Sequence, residues 1–545
     1  MCWWTGAWIL DCLQRAGKTF FGKSNMLLSE YLRSRPNDNQ QRIAVFLLFF
    51  LLFVFVFLFQ GKRGLWQPDE GCYVGTAYTM AKSGDLVIPR LGDTIFLDKP
   101  PLIYWGIISG IHLFGKNEFG ARAFHALCFA FTVLAVGFLG RNLFGDTRSG
   151  FFSGLIYATM ILPYIAANFV TPDSLLVLWT TLSMLFFWKS VSSKGQKAQL
   201  WKVLMSAALG FGFLTKGPAV LLPCGGMFVF LIVRRQTLKY FVSWWSLVCF
   251  LTFALIGLSW YLWVAFKVPG AWTYFFDNQV WGRLVTSKYN RNPGLSGALI
   301  YIPVLLFGTL PWTFVWWQRA GELKNKIINK QWWLDLKDRP DILFLLTWFW
   351  VPIIVLSLAS SKLGLYALPV FPAVALGTVK FLRDRPSFNS TNLWAKKNFK
   401  AIVMICCLVL TLLGSKFVLS CYPTEKNAKE LWLSLKDYLP QGDYEIVTID
   451  DHYDGLLFYG AQNVENVTIK TTPYPFFIVP ENIALELIDI LKENENTVFL
   501  AKDSNQASML RKLLLKSKLN ITEVRLPYNR CLLVHESRKL FRKPT

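Results

Sequence analysis

The chain has 545 residues, of which 53% are hydrophobic and only 17% are charged, and its mean hydropathy is +0.36. A soluble domain carries about 25% charged residues, so this composition excludes a soluble enzyme. Lys and Arg outnumber Asp and Glu and give a net charge of +23. In a soluble chain that excess would indicate a nucleic-acid partner. Here many of the cations lie between apolar runs, which is the pattern of a membrane protein.

Eleven apolar runs approach the roughly 17 to 25 residues that a helix needs to cross a bilayer. They lie at residues 43–59, 121–140, 149–170, 172–189, 198–215, 217–233, 241–266, 297–317, 342–359, 363–381 and 400–420. The first run has no small-residue cleavage site after it, so we expect it to be retained as a helix. The pattern predicts a polytopic α-helical protein with about 11 to 13 transmembrane helices, in which residues 43–420 form the membrane module.

The distribution of cations predicts how these runs are oriented. Residues 1–42 and the connections after the second, fourth, sixth, eighth and tenth runs are rich in Lys and Arg, whereas the connections after the third, fifth and ninth runs carry few cations. Since cytoplasmic connections carry the excess of cations, residues 1–42 are predicted to form a cytoplasmic tail. Residues 60–120, 267–296 and 421–545 then lie outside the cytoplasm.

Residues 421–545, which we call the tail, alternate helix-like and strand-like runs. The helix-like runs lie at 425–439, 481–493 and 504–518, and the strand-like runs at 444–449, 497–501, 524–526 and 531–535. This alternation predicts a small exocytoplasmic α/β domain. No motif in the tail assigns it a role.

Two adjacent carboxylates, Asp69 and Glu70, follow the first run within the outer segment 60–120. Carboxylates beside a membrane span are costly to bury and are usually functional. The plainer alternative is a solvated loop start or a helix cap at Asp69.

Further polar residues collect at the other predicted outer ends. They are Asp98 and Lys99 in the same segment, Asp173 after the third run, Lys216 after the fifth, residues 278–283 after the seventh, and Lys362 with Tyr366 after the ninth. For each of these alone, a turn or a snorkelling cation is the simpler interpretation. Their convergence on one side favours an active site at the outer leaflet.

This set of residue types has a chemical logic. Lys and Arg side chains can hold a phosphate group, and a carboxylate can accept the proton of an attacking hydroxyl. A membrane-borne phosphate is a natural leaving group for an activated sugar, and nearby cations stabilise it as it leaves. The set therefore predicts transfer from a lipid-phosphate donor.

Several motifs in the same order resemble a known family. The segments at 68–73, 83–89, 96–105 and 114–122 resemble the first outer loop of the lipid A 4-amino-4-deoxy-L-arabinose transferases and of their protein O-mannosyltransferase relatives, which are glycosyltransferases of the GT-C fold. Further similar segments lie at 171–173, 214–217, 259–261, 274–283 and 361–366. The resemblance covers residues 43 to 380 approximately.

The resemblance implies an inverting glycosyltransferase of the bacterial inner membrane, with its active site and tail in the periplasm. The implied donor is a sugar on undecaprenyl phosphate, and the implied acceptor is lipid A, another envelope glycan or a protein. Asp69 takes the catalytic role, with Glu70 as its neighbour. The donor phosphate is assigned to Lys99, Arg283 and Tyr366, and the supporting residues are Asp98, Asp173, Lys216 and Lys362.

The sequence departs from the family at two places and gives no sign of a metal. Gly71 and Cys72 follow the acidic pair, and Asp98 stands where the family commonly has a glutamate. The four histidines, at positions 112, 125, 452 and 535, form no ligand motif. We therefore predict no metal and no other cofactor, although some relatives have been associated with a divalent metal.

Three other functions stay open at this point. A protein O-mannosyltransferase would use the same site on a polyprenyl-phosphate mannose. A transporter or flippase of lipid-linked sugars would also be polytopic and basic, but such proteins place polar sites near the bilayer midplane, often in repeats, and no repeat is evident. A membrane-anchored tail domain would not require eleven spans.

Overall fold

The computed structural model describes residues 49–282, 291–383, 396–440, 442–468, 496–516 and 521–535. The chain divides into two compact units, Met1–Phe55 and Val56–Thr545. The described residues of the first unit, 49–55, are helical. The elements below belong to the second unit.

Seven helices in the described part of the chain are long and apolar enough to cross a membrane. They are Glu118–Phe144, Pro172–Ser192, Gly195–Val233, Trp244–Lys267, Pro340–Leu358, Gly364–Arg383 and Val403–Cys421. Two shorter apolar helices, Leu102–Phe114 and Gly294–Gly308, accompany them. The chain is thus a multi-pass membrane protein, as its composition predicts.

Prolines interrupt two of the eleven predicted runs. Run 149–170 consists of the helices Thr147–Ala158 and Ile161–Ala166, because Met160 between them is extended. Pro163 has no N–H to donate to the carbonyl four residues earlier, so the helix cannot continue through it unbroken. Run 297–317 is likewise divided near Pro311, between the helices Tyr301–Gly308 and Thr313–Gln318.

The runs predicted at 198–215 and 217–233 form one helical stretch with a break inside it. A straight helix of 39 residues would be about 58 Å long, whereas the apolar core of a bilayer is about 30 Å thick. A short 3-10 segment, Gly217–Leu221, separates the helices Gly195–Lys216 and Leu222–Val233. Gly217 has a φ of 62°, a conformation that glycine adopts without strain. The stretch therefore changes its geometry at the middle rather than running straight.

The other helical segments of the described residues either overlap these long spans or lie outside them. The α-helices are Asp69–Ser83, Thr237–Phe241, Trp244–Phe253, Ser259–Lys267, Ala271–Thr273, Gly294–Gly297, Ala320–Ile328, Lys330–Leu334, Phe371–Arg383, Lys396–Cys421, Ala428–Leu435, Gly455–Tyr459 and Ser504–Lys516. The π-helical segments are Ala254–Leu258 and Tyr274–Trp281. The other 3-10 segments are Ala298–Ile300, Asp335–Asp338, Gly364–Val370, Lys436–Tyr438 and Pro527–Asn529.

Polar caps explain where two of the core helices begin. The Asn117 side chain accepts a hydrogen bond from the Gly120 N–H at 2.8 Å, at the start of Glu118–Phe144. Asp146 accepts one from the Ser149 N–H at 2.7 Å in the same way. Each side chain satisfies a backbone donor that the helix itself leaves unpaired, which is worth about 1 kcal/mol. The two caps therefore fix the residues at which these helices begin.

The strands form a small hairpin and one mixed sheet. Strands β1 (Arg90–Leu91) and β2 (Thr94–Ile95) pair antiparallel. In the tail, β3 (Glu445–Ile449), β4 (Asn463–Val467), β5 (Thr497–Ala501), β6 (Ile521–Arg525) and β7 (Cys531–His535) form a sheet of order β4-β3-β5-β7-β6. Strand β3 is parallel to both β4 and β5, whereas β7 is antiparallel to both β5 and β6.

Alternating residues of this sheet are buried on its two faces, as the period of a strand requires. One face buries Ile446, Val464, Val498, Leu500, Leu532 and Val534 together with Leu431, Leu435 and Leu456. The other face buries Val447, Ile449, Phe499, Ala501 and Leu533 together with Ala507, Leu510 and Leu514. The strand-like runs of the sequence lie at or beside these strands. The helix predicted at 481–493 lies outside the described residues, and the boundary of the tail domain at residue 421 stays a prediction.

Candidate active site

Glu70 lies at the centre of a buried ion-pair network. Its two carboxylate oxygens accept hydrogen bonds from Arg63, at 2.5 and 3.0 Å, and from Arg122, at 2.9 Å to each oxygen. The backbone N–H groups of Trp66 and Val170 donate to the same carboxylate at 2.9 and 3.2 Å. The Glu70 side chain is fully buried. Its lone pairs are engaged, so this carboxylate has little capacity left for a substrate.

The charge of Glu70 is balanced by this network. Burial alone would raise the pKa of its carboxyl, but the neighbouring guanidinium groups of Arg122 and Arg63 hold that pKa far below its usual range. Arg122 also donates to the carbonyl oxygens of Gln60, Arg63 and Gly64 at 2.8–3.0 Å. Glu70 and Arg122 therefore fix the chain that leads into the helix Asp69–Ser83, which we call the Asp69 helix.

Asp69 begins this helix and has a different environment. Its side chain remains accessible to solvent. Reduced hydration within the surrounding protein raises the pKa of the Asp69 carboxyl above its ordinary value, and the charge of Asp173 raises it further, while Arg291 and Lys99 act in the opposite direction. An accessible carboxylate with a raised pKa is a stronger base than an ordinary aspartate. Asp69 is thus the member of the acidic pair that can receive a proton.

Lys99 is held in an ion pair with its neighbour in the sequence. The Lys99 Nζ is 2.6 Å from Oδ2 of Asp98, and the lysine is 7% exposed. The Gln279 side chain donates to Oδ1 of Asp98 at 3.2 Å and to the Tyr274 hydroxyl at 2.6 Å. Gln279 and Tyr274 both belong to the π-helical segment Tyr274–Trp281. The lysine therefore has a fixed position that depends on a distant part of the sequence.

A second buried ion pair joins Lys216 to Asp173. Their Nζ and Oδ1 atoms are 2.6 Å apart, and both side chains are largely buried. The Lys216 ammonium also lies 5.0 Å from the centre of the Tyr366 ring, which is within the range of a cation–π contact. Three predicted residues, from three separate helical segments, are therefore in contact.

Lys362 is bound mainly to the backbone of a neighbouring loop. Its Nζ donates to the carbonyl oxygens of Gly294 at 2.9 Å and Asn292 at 3.4 Å. The Lys362 backbone N–H donates to the Arg291 carbonyl oxygen at 2.8 Å. The lysine is 1% exposed, so its contacts hold in place the loop that carries Arg291. Its predicted role as a supporting site residue stays a prediction.

The structure thus assembles most of the predicted set around Asp69. The electrostatic neighbours of Asp69 include Asp173 and Lys99, and each of these is half of an ion pair with another predicted residue. Arg283 lies outside the described residues. Within the described ranges, no group of three or more His, Cys, Asp or Glu side chains is arranged to hold a metal ion.

The sequence assigned no role to four polar residues that the structure places here, although Arg122 and Gln279 lie in the predicted segments 114–122 and 278–283. Arg63 and Arg122 pair with Glu70, Gln279 contacts Asp98, and the charge of Arg291 acts on Asp69. A buried carboxylate needs a cationic partner, so Glu70 signals that such a partner exists. It does not identify a residue 52 positions away, which is the sequence separation to Arg122.

Comparison with known proteins gives matches of sequence over part of the chain. A family model described as dolichyl-phosphate-mannose-protein mannosyltransferase matches residues 42–275. The chain is 30% identical over 350 residues to the undecaprenyl phosphate-alpha-4-amino-4-deoxy-L-arabinose arabinosyl transferase 2 of Proteus mirabilis, covering 63% of this chain and 60% of that relative. It is 31% identical over 346 residues to the corresponding transferase of Edwardsiella ictaluri, covering 62% and 59%. The chain therefore spans about 60% of the length of these relatives.

The match of fold covers more of the chain than the match of sequence does. ArnT from Cupriavidus metallidurans, solved in complex with undecaprenyl phosphate, superposes with a TM-score of 0.70 at 19% identity, covering 92% of this chain and 99% of that one. The same protein in its apo state gives a TM-score of 0.67. The GT-C fold that the motifs predict is therefore confirmed, and so is the resemblance to the aminoarabinose transferases and the protein mannosyltransferases.

Proposed function

We propose that this chain is an inverting glycosyltransferase that moves a sugar from undecaprenyl phosphate to an acceptor in the bacterial envelope, with lipid A as the acceptor. The observation that carries the proposal is the accessible Asp69 carboxylate, whose electrostatic neighbours are Lys99 and Asp173. The relatives named as undecaprenyl phosphate-alpha-4-amino-4-deoxy-L-arabinose arabinosyl transferases support the choice of donor, and the choice of lipid A follows the family that the sequence motifs resemble.

The proposed reaction uses a carboxylate as the base and cations at fixed positions to bind the leaving phosphate. The acceptor oxygen attacks the anomeric carbon of the sugar on the face opposite the carrier phosphate. The new C–O bond forms as the bond to the phosphate breaks, and Asp69 receives the proton when the acceptor is a hydroxyl. The electron pair of the broken bond leaves with undecaprenyl phosphate. Lys99, together with Arg283 and Tyr366, is proposed to hold that phosphate.

The ion pairs suit this task because they keep cations in place without a ligand. Lys99 is paired with Asp98 and Lys216 with Asp173, so neither ammonium group is buried without an opposite charge. An incoming phosphate offers Lys99 a second anionic partner beside Asp98. Preorganised charge of this kind stabilises a leaving group without reorganisation during the reaction. Glu70, whose oxygens are already engaged, is proposed as a positioning residue rather than a second catalytic group.

Replacing Lys99 with glutamine should weaken donor binding more than it slows the chemical step. A hydrogen bond to a charged group contributes about 1.5–3 kcal/mol, so we expect KM for the lipid donor to rise roughly 10- to 100-fold. Transfer rates measured over a range of donor concentrations in detergent micelles test this. Lys82→Gln removes a charge at an exposed position on the Asp69 helix and should change KM less than twofold. An unchanged KM in Lys99→Gln would exclude the phosphate contact.

The proposal includes the finer topology predicted from the sequence. It comprises 11 to 13 transmembrane helices, a cytoplasmic segment 1–42, a membrane module 43–420 whose catalytic loop is 60–120, and a periplasmic tail 421–545. The basic connections support this orientation. Cysteine scanning with a membrane-impermeant thiol reagent tests it: a cysteine placed at the exposed residue Lys82 should react in intact cells permeable only at the outer membrane, and one at Arg235 should not.

The acceptor can be identified by chemical analysis of the envelope. Mass spectrometry of lipid A and of envelope proteins, from cells with and without this chain, should find an added aminopentose on lipid A only when the chain is present. The mannosyltransferase family match at residues 42–275 favours a second candidate, transfer of mannose to a protein. A hexose on envelope proteins with unmodified lipid A would establish that candidate instead. The absence of both modifications would point to a carrier or flippase.

A further inference from the structure

The backbone immediately before Asp69 is paired with the tail. The Ala428 N–H donates to the Leu65 carbonyl oxygen at 2.9 Å, and the Gln67 N–H donates to the Lys426 carbonyl oxygen at 2.8 Å. These bonds form an antiparallel bridge between Trp66 and Asn427. The segment that leads into the Asp69 helix is therefore fixed by main-chain hydrogen bonds to a region more than 350 residues away in the sequence.

One tyrosine of the tail contacts this segment and a membrane helix together. The Tyr459 hydroxyl accepts a hydrogen bond from the Leu65 N–H at 2.9 Å and donates to Oε1 of Glu118 at 3.2 Å. Glu118 is the first residue of the helix Glu118–Phe144 and is 7% exposed. Lys429 forms an ion pair with the same Glu118 oxygen at 2.9 Å. The Tyr459 hydroxyl of the tail thus contacts both the segment before Asp69 and the first residue of the helix Glu118–Phe144.

The tail also packs closely against the Asp69 helix. A Cβ atom on Gly75 would lie 2.7 Å from the Asp454 carbonyl oxygen, and one on Gly455 would lie 3.1 Å from the Cα of Gly71. The glycines allow two backbones to approach more closely than side chains would permit. The face of the Asp69 helix that bears Gly71 and Gly75 is therefore occupied by the tail.

Residues 65–70, which we call the catalytic turn, are also fixed by the Glu70 network. Arg63 and Arg122 hold Glu70 there, while the tail holds residues 65–67 and the glycine face. Asp69 lies between these two attachments. Its position relative to Lys99 and Asp173 consequently depends on both of them, and removing the tail contacts leaves the turn attached on one side.

We propose that the tail braces the catalytic turn, with Tyr459 and Lys429 acting as positioning residues that set the place of Asp69. This inference rests on the proposed role of Asp69 in sugar transfer. It gives the tail a part in catalysis that acts through the position of Asp69 and needs no contact with the acceptor. Neither residue touches the reacting atoms, so their effect should appear in the rate of the chemical step and not in donor binding.

The test compares Tyr459→Phe and Lys429→Ala with the matched controls Tyr422→Phe and Lys426→Ala, all in the full chain. The two control side chains are exposed. We expect kcat to fall about tenfold in Tyr459→Phe and about threefold in Lys429→Ala, with KM for the donor changed less than twofold. Amide hydrogen exchange of a peptide covering residues 64–70 should accelerate about tenfold in Tyr459→Phe, because the Leu65 N–H loses its partner.

A pH profile separates a positioning role from a general loss of stability. The charged groups around Asp69 are Glu70, Asp173, Arg291 and Lys99. A loosened turn lets more water reach Asp69, so the acid limb of kcat/KM should move to lower pH in Tyr459→Phe and stay in place in Tyr422→Phe.

The two proposals fail in different ways. Wild-type protein without transfer activity would contradict the proposed function, and hydrogen exchange would still test the brace. Active wild-type protein together with a Tyr459→Phe variant of unchanged kcat and unchanged exchange would overturn the brace alone. The milder Lys429→Ala variant keeps the test available if Tyr459→Phe folds poorly.

Discussion

Replacing Asp69 with asparagine should lower kcat about 10²- to 10⁴-fold while leaving the affinity for undecaprenyl phosphate within twofold of wild type. A positioned general base contributes about this factor, and the amide is close in size to the carboxylate but cannot accept the proton. Lys99, which is proposed to bind the donor, keeps its own partner because it is paired with Asp98, and the supporting residue Lys216 stays close to Asp173. Single-turnover transfer measures the rate of the chemical step, and equilibrium binding of the lipid carrier to the same preparation measures its affinity.

Asp85→Asn is a suitable control for this variant. Asp85 lies just beyond the end of the Asp69 helix, and its carboxylate accepts hydrogen bonds from the backbone N–H groups of Val87 and Ile88 at 2.9 and 3.1 Å. It should retain transfer within about threefold. Wild-type rates in Asp69→Asn would exclude Asp69 as the base and would leave its raised pKa without a catalytic purpose.

The pH dependence of transfer should also reflect the role of Asp69 as the base. Burial by the surrounding protein and the charge of Asp173 raise the pKa of Asp69. The base works only as the carboxylate, so activity should be present above this raised pKa and should be lost as the pH falls through it. The acid limb of kcat/KM for a hydroxyl acceptor should therefore lie at a higher pH than an ordinary aspartate would give. An acid limb at or below the pH range of an ordinary aspartate would contradict a raised pKa of Asp69.

Replacing Glu70 with glutamine should destabilise the protein by about 3–5 kcal/mol, the cost of breaking a buried ion pair by removing one partner. Arg63 and Arg122 would then face a neutral amide that can accept fewer hydrogen bonds and donates two of its own. Unfolding of the detergent-solubilised chain, followed by heat or denaturant, measures the loss. Glu322→Gln is the control, because Glu322 is 52% exposed in its pair with Arg319, and surface pairs of this kind contribute about 0–1 kcal/mol.

The sign of the pH effect on stability distinguishes the pair from simple packing. The folded protein holds the pKa of Glu70 far below the range of an unfolded glutamate. Its stabilisation is therefore complete above that ordinary range and declines as the pH falls from there toward the lowered value. The difference in stability between wild type and Glu70→Gln should shrink with acidification over this window. A difference that is the same at every pH would point to packing alone.

The membrane architecture could be predicted because it depends on local properties of the sequence. Run length and hydrophobicity alone locate helices such as Pro340–Leu358 and Pro172–Ser192. The breaks within runs 149–170 and 297–317 were harder to predict, because Pro163 and Pro311 lie inside apolar runs and membrane helices often tolerate proline. Whether a helix bends or ends there depends on which neighbours accept the freed carbonyl groups. In the tail, short strand-like runs were sufficient to indicate strands β3, β5 and β7, whereas β4 lies in no predicted run.

In the candidate site, too, the residues could be predicted where they depend on local sequence and not where they depend on packing. Asp69, Asp173 and Lys216 were found because each lies near the predicted outer end of a span, and the sequence patterns bring such ends to one side. Lys99 was assigned from the resemblance of the segment 96–105 to the family. Their partners depend on side-chain packing. The acidic pair illustrates this: the sequence treats Asp69 and Glu70 alike, whereas the arginines at 63 and 122 bury one and leave the other accessible. Gln279 lies in the predicted segment 278–283, but its contact with Asp98 could not be predicted, because a π-helical segment sets which of its residues reach Asp98.

The most direct test of this account is transfer by the purified chain in proteoliposomes that contain lipid A and undecaprenyl phosphate 4-amino-4-deoxy-L-arabinose labelled in the sugar. The account predicts that wild-type protein moves the label to lipid A and releases one undecaprenyl phosphate for each sugar transferred, and that Asp69→Asn leaves the label on the carrier it still binds. Label that stays on the carrier with wild-type protein, or that moves equally fast with Asp69→Asn, would contradict it.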